Sequence, residues 1–278
     1  MALRDVSDTA LLVAVHRARE SERRRPLFRD PFALRLAGDR GREIVRGMRY
    51  GGVSWPVVAR TVVLDEAILR LAPDVECVLD LAAGLDTRPY RLDLPADLRW
   101  VEADLPALLD YKAGLLAGER PRCRLERRPV DLADAGARRE LLDELAVSRT
   151  LVLSEGVLVY LAREDVEALA RDLAARPGFE WWLCDVAGSL FLEWSARGSV
   201  GRQLVDANAT MRFAPEEGPG FFRPLGWEPV EVRSSWEEAR RLGRLPLAMR
   251  ALWAISPVSQ RARLLDLTRV VLLRRAPA

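Results

Sequence analysis

The residues CVLDLAAGLDTRPYRLDLPADLRWVEADLPALLDYKAGLL, Cys77 to Leu116, decide how the chain is read. They open with Cys77 to Leu81, a short apolar run bounded by polar residues, the pattern of a strand buried within a parallel sheet. The small-residue turn Ala82, Ala83, Gly84 follows at once. A glycine where strand gives way to helix lets backbone approach a ligand, because no Cβ intervenes and positive φ carries no steric penalty. A second strand, Leu98 to Ala103, then delivers Glu102 and Asp104, and Asp104 stands 20 residues past Gly84. That is the ~20-residue offset at which an acid meets ribose hydroxyls in dinucleotide folds. The spacing suits an adenosine.

A full GxGxxG is absent, since Ala82 stands where a first glycine would be and Thr87 where a third would be. A dinucleotide lays its pyrophosphate against the helix N-terminus and needs glycines for that approach. A ligand without phosphates accepts both Ala82 and the acidic Asp86, and S-adenosylmethionine is such a ligand. Small-residue turns after buried strands also occur in enzymes that bind no nucleotide, so the remaining chain must decide.

Further words along the chain carry a resemblance. TALLVAVHRARESERRRPLFRDPFALRLAG (Thr9 to Gly38), ARTVVLDEAIL (Ala59 to Leu69), VLDLAAGLDTRPYRL, VEADLPALLDYK, PVDL and LVLSEGVLVYL resemble the leucine carboxyl methyltransferase family. They look most like its bacterial branch of S-adenosylmethionine-dependent O-methyltransferases, some of which act on polyketide-type natural products. The likeness runs in order from Thr9 to about Leu161 and fades beyond Asp185.

The resemblance implies a role for individual positions. Arg60 would bind the methionine carboxylate of the cofactor, a task that suits a bidentate guanidinium. Arg29, before Asp-Pro, matches a family position that reaches the cofactor; its ordinary alternative is a loop residue at a helix entry. Gly84 would lie against the methionine part, Asp104 would accept from the ribose hydroxyls, and Asp131 with Leu132 would flank the adenine. Glu155, after the fourth strand, matches an acid near the cofactor's amino group, and sits where open α/β sheets place ligands. One departure is Ala82, where the family usually carries glycine.

With 278 residues and 49% hydrophobic content, the chain can bury a large core as one α/β unit. Its 43 basic and 41 acidic residues nearly cancel, which predicts no nucleic-acid binding. Cys77, Cys123 and Cys184 lie far apart without CxxC spacing, as in a reduced, cytoplasmic protein. No long apolar run announces a signal peptide or membrane span, and a single histidine argues against a structural metal. Oligomeric state is not legible.

Helices are expected over Ser7 to Glu20 and Val57 to Leu71, followed by alternation: strands at Cys77, Leu98, Arg124, Thr150 and Glu180, with helices over Pro106 to Ala117, Ala137 to Leu145 and Arg163 to Ala175. Such alternation predicts a parallel sheet with helices on both faces. A helical stretch, Trp236 to Trp253, separates two β-rich runs, Trp227 to Ser235 and Arg269 to Arg275. The resemblance makes these the antiparallel closing pair of a Rossmann-like class I methyltransferase with a mostly parallel seven-stranded sheet. One domain then comprises an N-terminal helical cap (1–72), a cofactor-binding core (73–187), a helical insertion after strand 5 serving as lid (188–225), and C-terminal strands and helix (226–278).

The expected reaction is attack of an acceptor oxygen on a sulfonium methyl carbon. A small organic acceptor is expected, because Phe191, Trp194, Phe213, Phe221, Phe222 and Trp227 fall in the zone that would receive it, although each is individually as well explained by core packing. A carboxylate needs no base whereas an alcohol or phenol does. His16 and Tyr160 are the candidate catalytic groups, and their modest credentials tilt the expectation toward a carboxylate or an acidic phenol. A nicotinamide oxidoreductase, a protein carboxyl methyltransferase acting on a chain terminus, and a non-catalytic scaffold remain alternatives; a surface groove in place of an enclosed pocket would mark the protein enzyme.

Overall fold

The computed structural model describes residues 7–47, 54–146, 148–197 and 210–277. Three helices, α1 (Ser7–Ser21), α2 (Ala33–Gly47) and α3 (Trp55–Leu71), precede the sheet. Strand and helix then alternate: β1 (Cys77–Leu81), α4 (Arg88–Arg91), β2 (Arg99–Asp104), α5 (Pro106–Leu115), β3 (Arg124–Pro129), α6 (Ala135–Leu145), β4 (Thr150–Ser154), α7 (Arg163–Ala174) and β5 (Phe179–Ala187). The chain closes with α8 (Ser189–Arg197), β6 (Trp227–Ser234), α9 (Ser235–Arg241), α10 (Leu247–Ile255), α11 (Val258–Leu265) and β7 (Thr268–Arg275).

The seven strands lie in the order β3-β2-β1-β4-β5-β7-β6. β1 is parallel to both β2 and β4, with Cys77 opposite Arg99 on one side and Thr150 on the other. β7 runs antiparallel to β5 and β6 and fits between them. The doubly-wound fold and antiparallel closing pair are therefore as expected, and every expected strand is present to within a residue at each end.

Alternation along the strands makes two cores. Val78, Trp100, Leu151 and Leu183 face Val63, Leu64 and Ile68 of α3. Leu79, Val101, Val152 and Trp182 face Leu142 of α6 and Val166 and Leu173 of α7. A third cluster joins Leu11 and Val15 of α1 with Leu36 and Ile44 of α2 to Leu85 and Tyr90 beyond β1, which packs these two helices against the segment that follows β1.

Three features differ from expectation. The stretch from Trp236 is not one helix but α9 and α10, parted at residues 242–246 by Pro246, and Pro257 admits a third, α11. α2 is additional, and its backbone leaves helical geometry at Gly38. Of the expected insertion, α8 and a 3₁₀ helix (Gly218–Leu225) are described, while 198–209 lie outside the described residues.

Candidate functional site

A cavity of about 620 Å³ opens where the carboxyl ends of the strands meet α1, the start of α3 and α8. Its floor is formed by residues that follow β1, β2, β3 and β4 and by the end of β5, the position at which open α/β sheets bind ligands. α1, the start of α3 and α8 supply the walls through such residues as Val13, Trp55, Phe191 and Trp194.

The turn after β1 does what its small residues suggest. Gly84 is at φ 51° and Ala82 at φ 55°, so an alanine occupies the left-handed region that glycine takes at little cost. The Gly84 amide donates to Asp104 Oδ2 at 2.6 Å, and the Leu105 amide donates to Asp104 Oδ1 at 2.7 Å. Asp104 is thereby fixed at the end of β2 while each carboxylate oxygen keeps a lone pair for another donor. Burial pushes Asp104 above its ordinary pKa, with the two amide hydrogen bonds opposing the shift.

Opposite this turn lies Arg60. Its Nε donates to Glu155 Oε1 at 2.9 Å and its Nη1 to Asp185 Oδ2 at 2.9 Å, contacts that span 95 and 125 residues of sequence. Burial alone would lower the Arg60 pKa, but Asp185 and Glu155 hold it above its ordinary value. Gly156 lets the guanidinium in: at φ 69°, an added Cβ would stand 3.3 Å from Arg60 Nη1. The Gly156 amide also donates to Asp185 Oδ1 at 2.5 Å. A guanidinium flanked by two carboxylates presents both signs of charge to an amino-acid zwitterion.

A second arginine knits this site to its supports. Arg88, 1% exposed, contacts Asp65, Asp86 and Glu155, each at 2.7 Å. Burial works against Glu155 ionising, but Arg88 and Arg60 lower its pKa, so the carboxylate is charged. Arg17 of α1 donates to the Leu85 carbonyl at 2.5 Å and lies 3.2 Å from Asp30, which clamps the cap to the turn.

Asp80 and Asp86 are pushed apart. Burial, reinforced by Asp86, raises the Asp80 pKa well above the carboxylate range, and Asp80 Oδ2 has no hydrogen-bond partner. Burial would raise Asp86 also, but Arg88 and Arg17 hold it far below.

Of the residues singled out from the sequence, Arg60, Gly84, Asp104, Asp131, Leu132, Glu155, His16 and Tyr160 all line this cavity. Asp131 is exposed and accepts from the Ala133 amide at 2.9 Å, and Leu132 packs against the α6–α7 core. Tyr160 stands on a 3₁₀ turn (Leu158–Tyr160), and burial raises its pKa against a hydrogen bond with Thr9, so it is a protonated donor rather than a base. His16 is 1% exposed; burial, then Arg19, push its pKa down to about 4.

Arg29 is not brought in. It is exposed, while its neighbour Asp30 turns inward to accept from the Phe32 and Ala33 amides and from Thr87. That inward turn directs Arg29 to solvent. The sequence reading assigned no site role to Arg17, Asp80, Asp86, Arg88, Gly156 or Asp185. All but Asp185 lie within words already quoted, and for the four charged ones, charge within an apolar segment was the available signal. Asp185 lies where the likeness fades.

Among the described residues no cluster could hold a metal ion and no helix is long and apolar enough to cross a membrane. Cys77, Cys123 and Cys184 are buried and free, and burial pushes the Cys77 thiol up to about 11.

The chain is similar to a Frankia alni protein provisionally named an S-adenosyl-L-methionine-dependent methyltransferase, at 35% identity over 259 residues, 85% of this chain and 87% of the other. A Streptomyces avermitilis protein of the same provisional name is 34% identical over 258 residues, again 85% and 87% of the two chains. Among solved structures, a duf574 family protein from Streptomyces avermitilis shares the fold with a TM-score of 0.58 at 18% identity, covering 97% of both chains. A Thermobifida fusca protein provisionally titled a methyltransferase does so with a TM-score of 0.57 at 17% identity, covering 99% of this chain and 96% of that one. The leucine carboxyl methyltransferase model matches residues 10–174, a segment that contains Arg60, the Ala82–Gly84 turn, Asp104 and Glu155. With these residues assembled around one cavity, the chain belongs to the leucine carboxyl methyltransferase family.

Proposed function

We propose that this protein is an O-methyltransferase whose acceptor is a small, largely apolar organic molecule, such as a polyketide-type secondary metabolite. It is an S-adenosylmethionine-dependent methyltransferase, as are its relatives by name. The observation that carries the reading is Arg60 held between Glu155 and Asp185 in the same cavity as the Gly84–Asp104 pair.

These residues fit the cofactor group by group. Arg60 retains N–H donors for the methionine carboxylate, while Glu155 and Asp185 receive the ammonium. Asp104 takes the ribose hydroxyls on its remaining lone pairs, and Asp131 and Leu132 flank the adenine. Asp80, whose Oδ2 is unpartnered, lines the same cavity. The bound sulfonium supplies an electrophilic methyl carbon and becomes a neutral thioether on losing it. The protein's share of catalysis is to hold the reactants in line and exclude water, which the cap and the aromatic walls provide.

A cavity walled by apolar residues such as Trp55, Phe191 and Trp194 favours a small molecule over a protein terminus. The test is incubation with methyl-labelled S-adenosylmethionine and a bacterial extract. Label is expected in organic-extractable products carrying a new O-methyl group. Label confined to base-labile esters on protein contradicts the proposal and restores the protein-carboxyl alternative.

A further inference from the structure

The cavity is strongly asymmetric in charge. Its described lining carries the carboxyl groups of Asp80, Asp86, Asp104, Asp131, Glu155 and Asp185. The basic side chains among the described lining residues, apart from His16, are Arg17 and Arg60. Both are committed: Arg17 to Leu85 and Asp30, Arg60 to Glu155, Asp185 and, in the proposed function, the methionine carboxylate. An anionic acceptor entering this space would lose its hydration and meet no uncommitted cation among the described residues.

His16 offers the opposite kind of contact. It lies on α1, 1% exposed, among the cavity residues, and its Nδ1 is buried without a hydrogen-bond partner. A buried polar atom without a partner is uncommon in a folded protein and calls for a ligand or other explanation. The low pKa of about 4 keeps the ring neutral at pH 7, so one ring nitrogen is a hydrogen-bond acceptor. Leu12, Val13 and Trp55 line the same cavity with apolar surface.

We infer that the acceptor is a neutral hydroxyl compound, a phenol or enol rather than a carboxylate, and that its O–H is held by His16 Nδ1. The inference rests on the methyltransferase reading and gives that site its substrate class. As the acceptor oxygen gains the methyl group, the sulfonium charge disappears onto sulfur as an electron pair and the hydroxyl proton passes to Nδ1. One positive charge is thus present before the step, on sulfur, and one after it, on imidazolium. Burial and Arg19 disfavour that imidazolium, so it gives up the proton readily. The proton must reach solvent before the next turnover.

The test is a binding comparison in protein saturated with S-adenosylhomocysteine, using matched pairs: 2-naphthol with 2-naphthoate, and 9-phenanthrol with phenanthrene-9-carboxylate. At least one phenol is expected to bind tenfold or more tightly than its carboxylate partner at pH 7.5. His16→Phe should weaken that phenol at least fivefold and leave S-adenosylhomocysteine affinity unchanged, and His16→Asn, whose carbonyl oxygen replaces Nδ1 as acceptor, should restore much of it. The inference is overturned if neither phenol binds, if carboxylates bind as tightly as their partners, or if His16→Phe leaves the phenol affinity intact. Should His16→Phe fail to fold, the wild-type preference and His16→Asn still decide. Failure of S-adenosylhomocysteine to bind the wild type would instead sink the methyltransferase reading, so the two failures are separable.

Discussion

Ala82 sits at φ 55° in the turn that meets the proposed cofactor, a conformation that costs an L-residue about 1 kcal/mol or more. Glycine relieves that strain but gives the unfolded chain more freedom, which offsets part of the gain. Ala82→Gly is therefore expected to stabilise the protein by about 0.5 kcal/mol, read as a higher urea midpoint at unchanged slope; a lower midpoint would show that the turn is unstrained. Asp80 makes a prediction about pH. Its folded pKa is raised, by burial first and by Asp86 next, so the folded state holds this proton more tightly than the unfolded chain. The stabilisation is present below the unfolded value near 3.8 and is lost as pH rises through the folded value. Asp80→Asn keeps the shape without the titration. Its melting temperature relative to wild type should thus increase between pH 4 and pH 8, and a difference that stays flat or falls over that range would contradict the protonated assignment.

At the scale of elements, the four residues of α4 bind the site together, because Arg88 reaches α3 through Asp65, the β1 turn through Asp86 and the β4 end through Glu155. Removing one partner from a buried ionic cluster leaves uncompensated charge, at about 3–5 kcal/mol. Arg88→Met should fall in that range in urea denaturation. Arg163→Met, whose partners Glu167 and Glu217 are themselves solvent-accessible, should change little. Similar losses in both would mean that Arg88 is only a packing residue. The strands were legible because each is a short run with its own boundary signals, and β1 is buried throughout. Helices without such signals were less so. α2 went unread because its apolar residues Leu36, Ile44 and Val45 are separated by a glycine break at Gly38; α9 and α10 were fused because Pro246 was given too little weight as a helix break, and α11, beyond Pro257, went unread.

For the whole molecule, what sequence could not reveal was convergence. Arg60 and Asp185 touch across 125 residues, and neither periodicity nor local spacing announces such a pair. Arg17 likewise clamps α1 to a carbonyl 68 residues away. The Gly84–Asp104 pair was visible because its partners belong to one βαβ unit with a fixed offset. Arg29 was misplaced because a motif identifies a neighbourhood but not which of two adjacent side chains turns inward. The central claim is that this fold brings Arg60 and Asp104 to one cofactor. It is tested most directly by calorimetric titration of S-adenosylhomocysteine and S-adenosylmethionine into wild type, Arg60→Ala and Asp104→Ala. Charged hydrogen bonds of about 1.5–3 kcal/mol imply saturable binding to wild type, weakened tenfold or more in each variant; a folded wild type that binds neither ligand, or variants that bind as well as it does, would contradict the account.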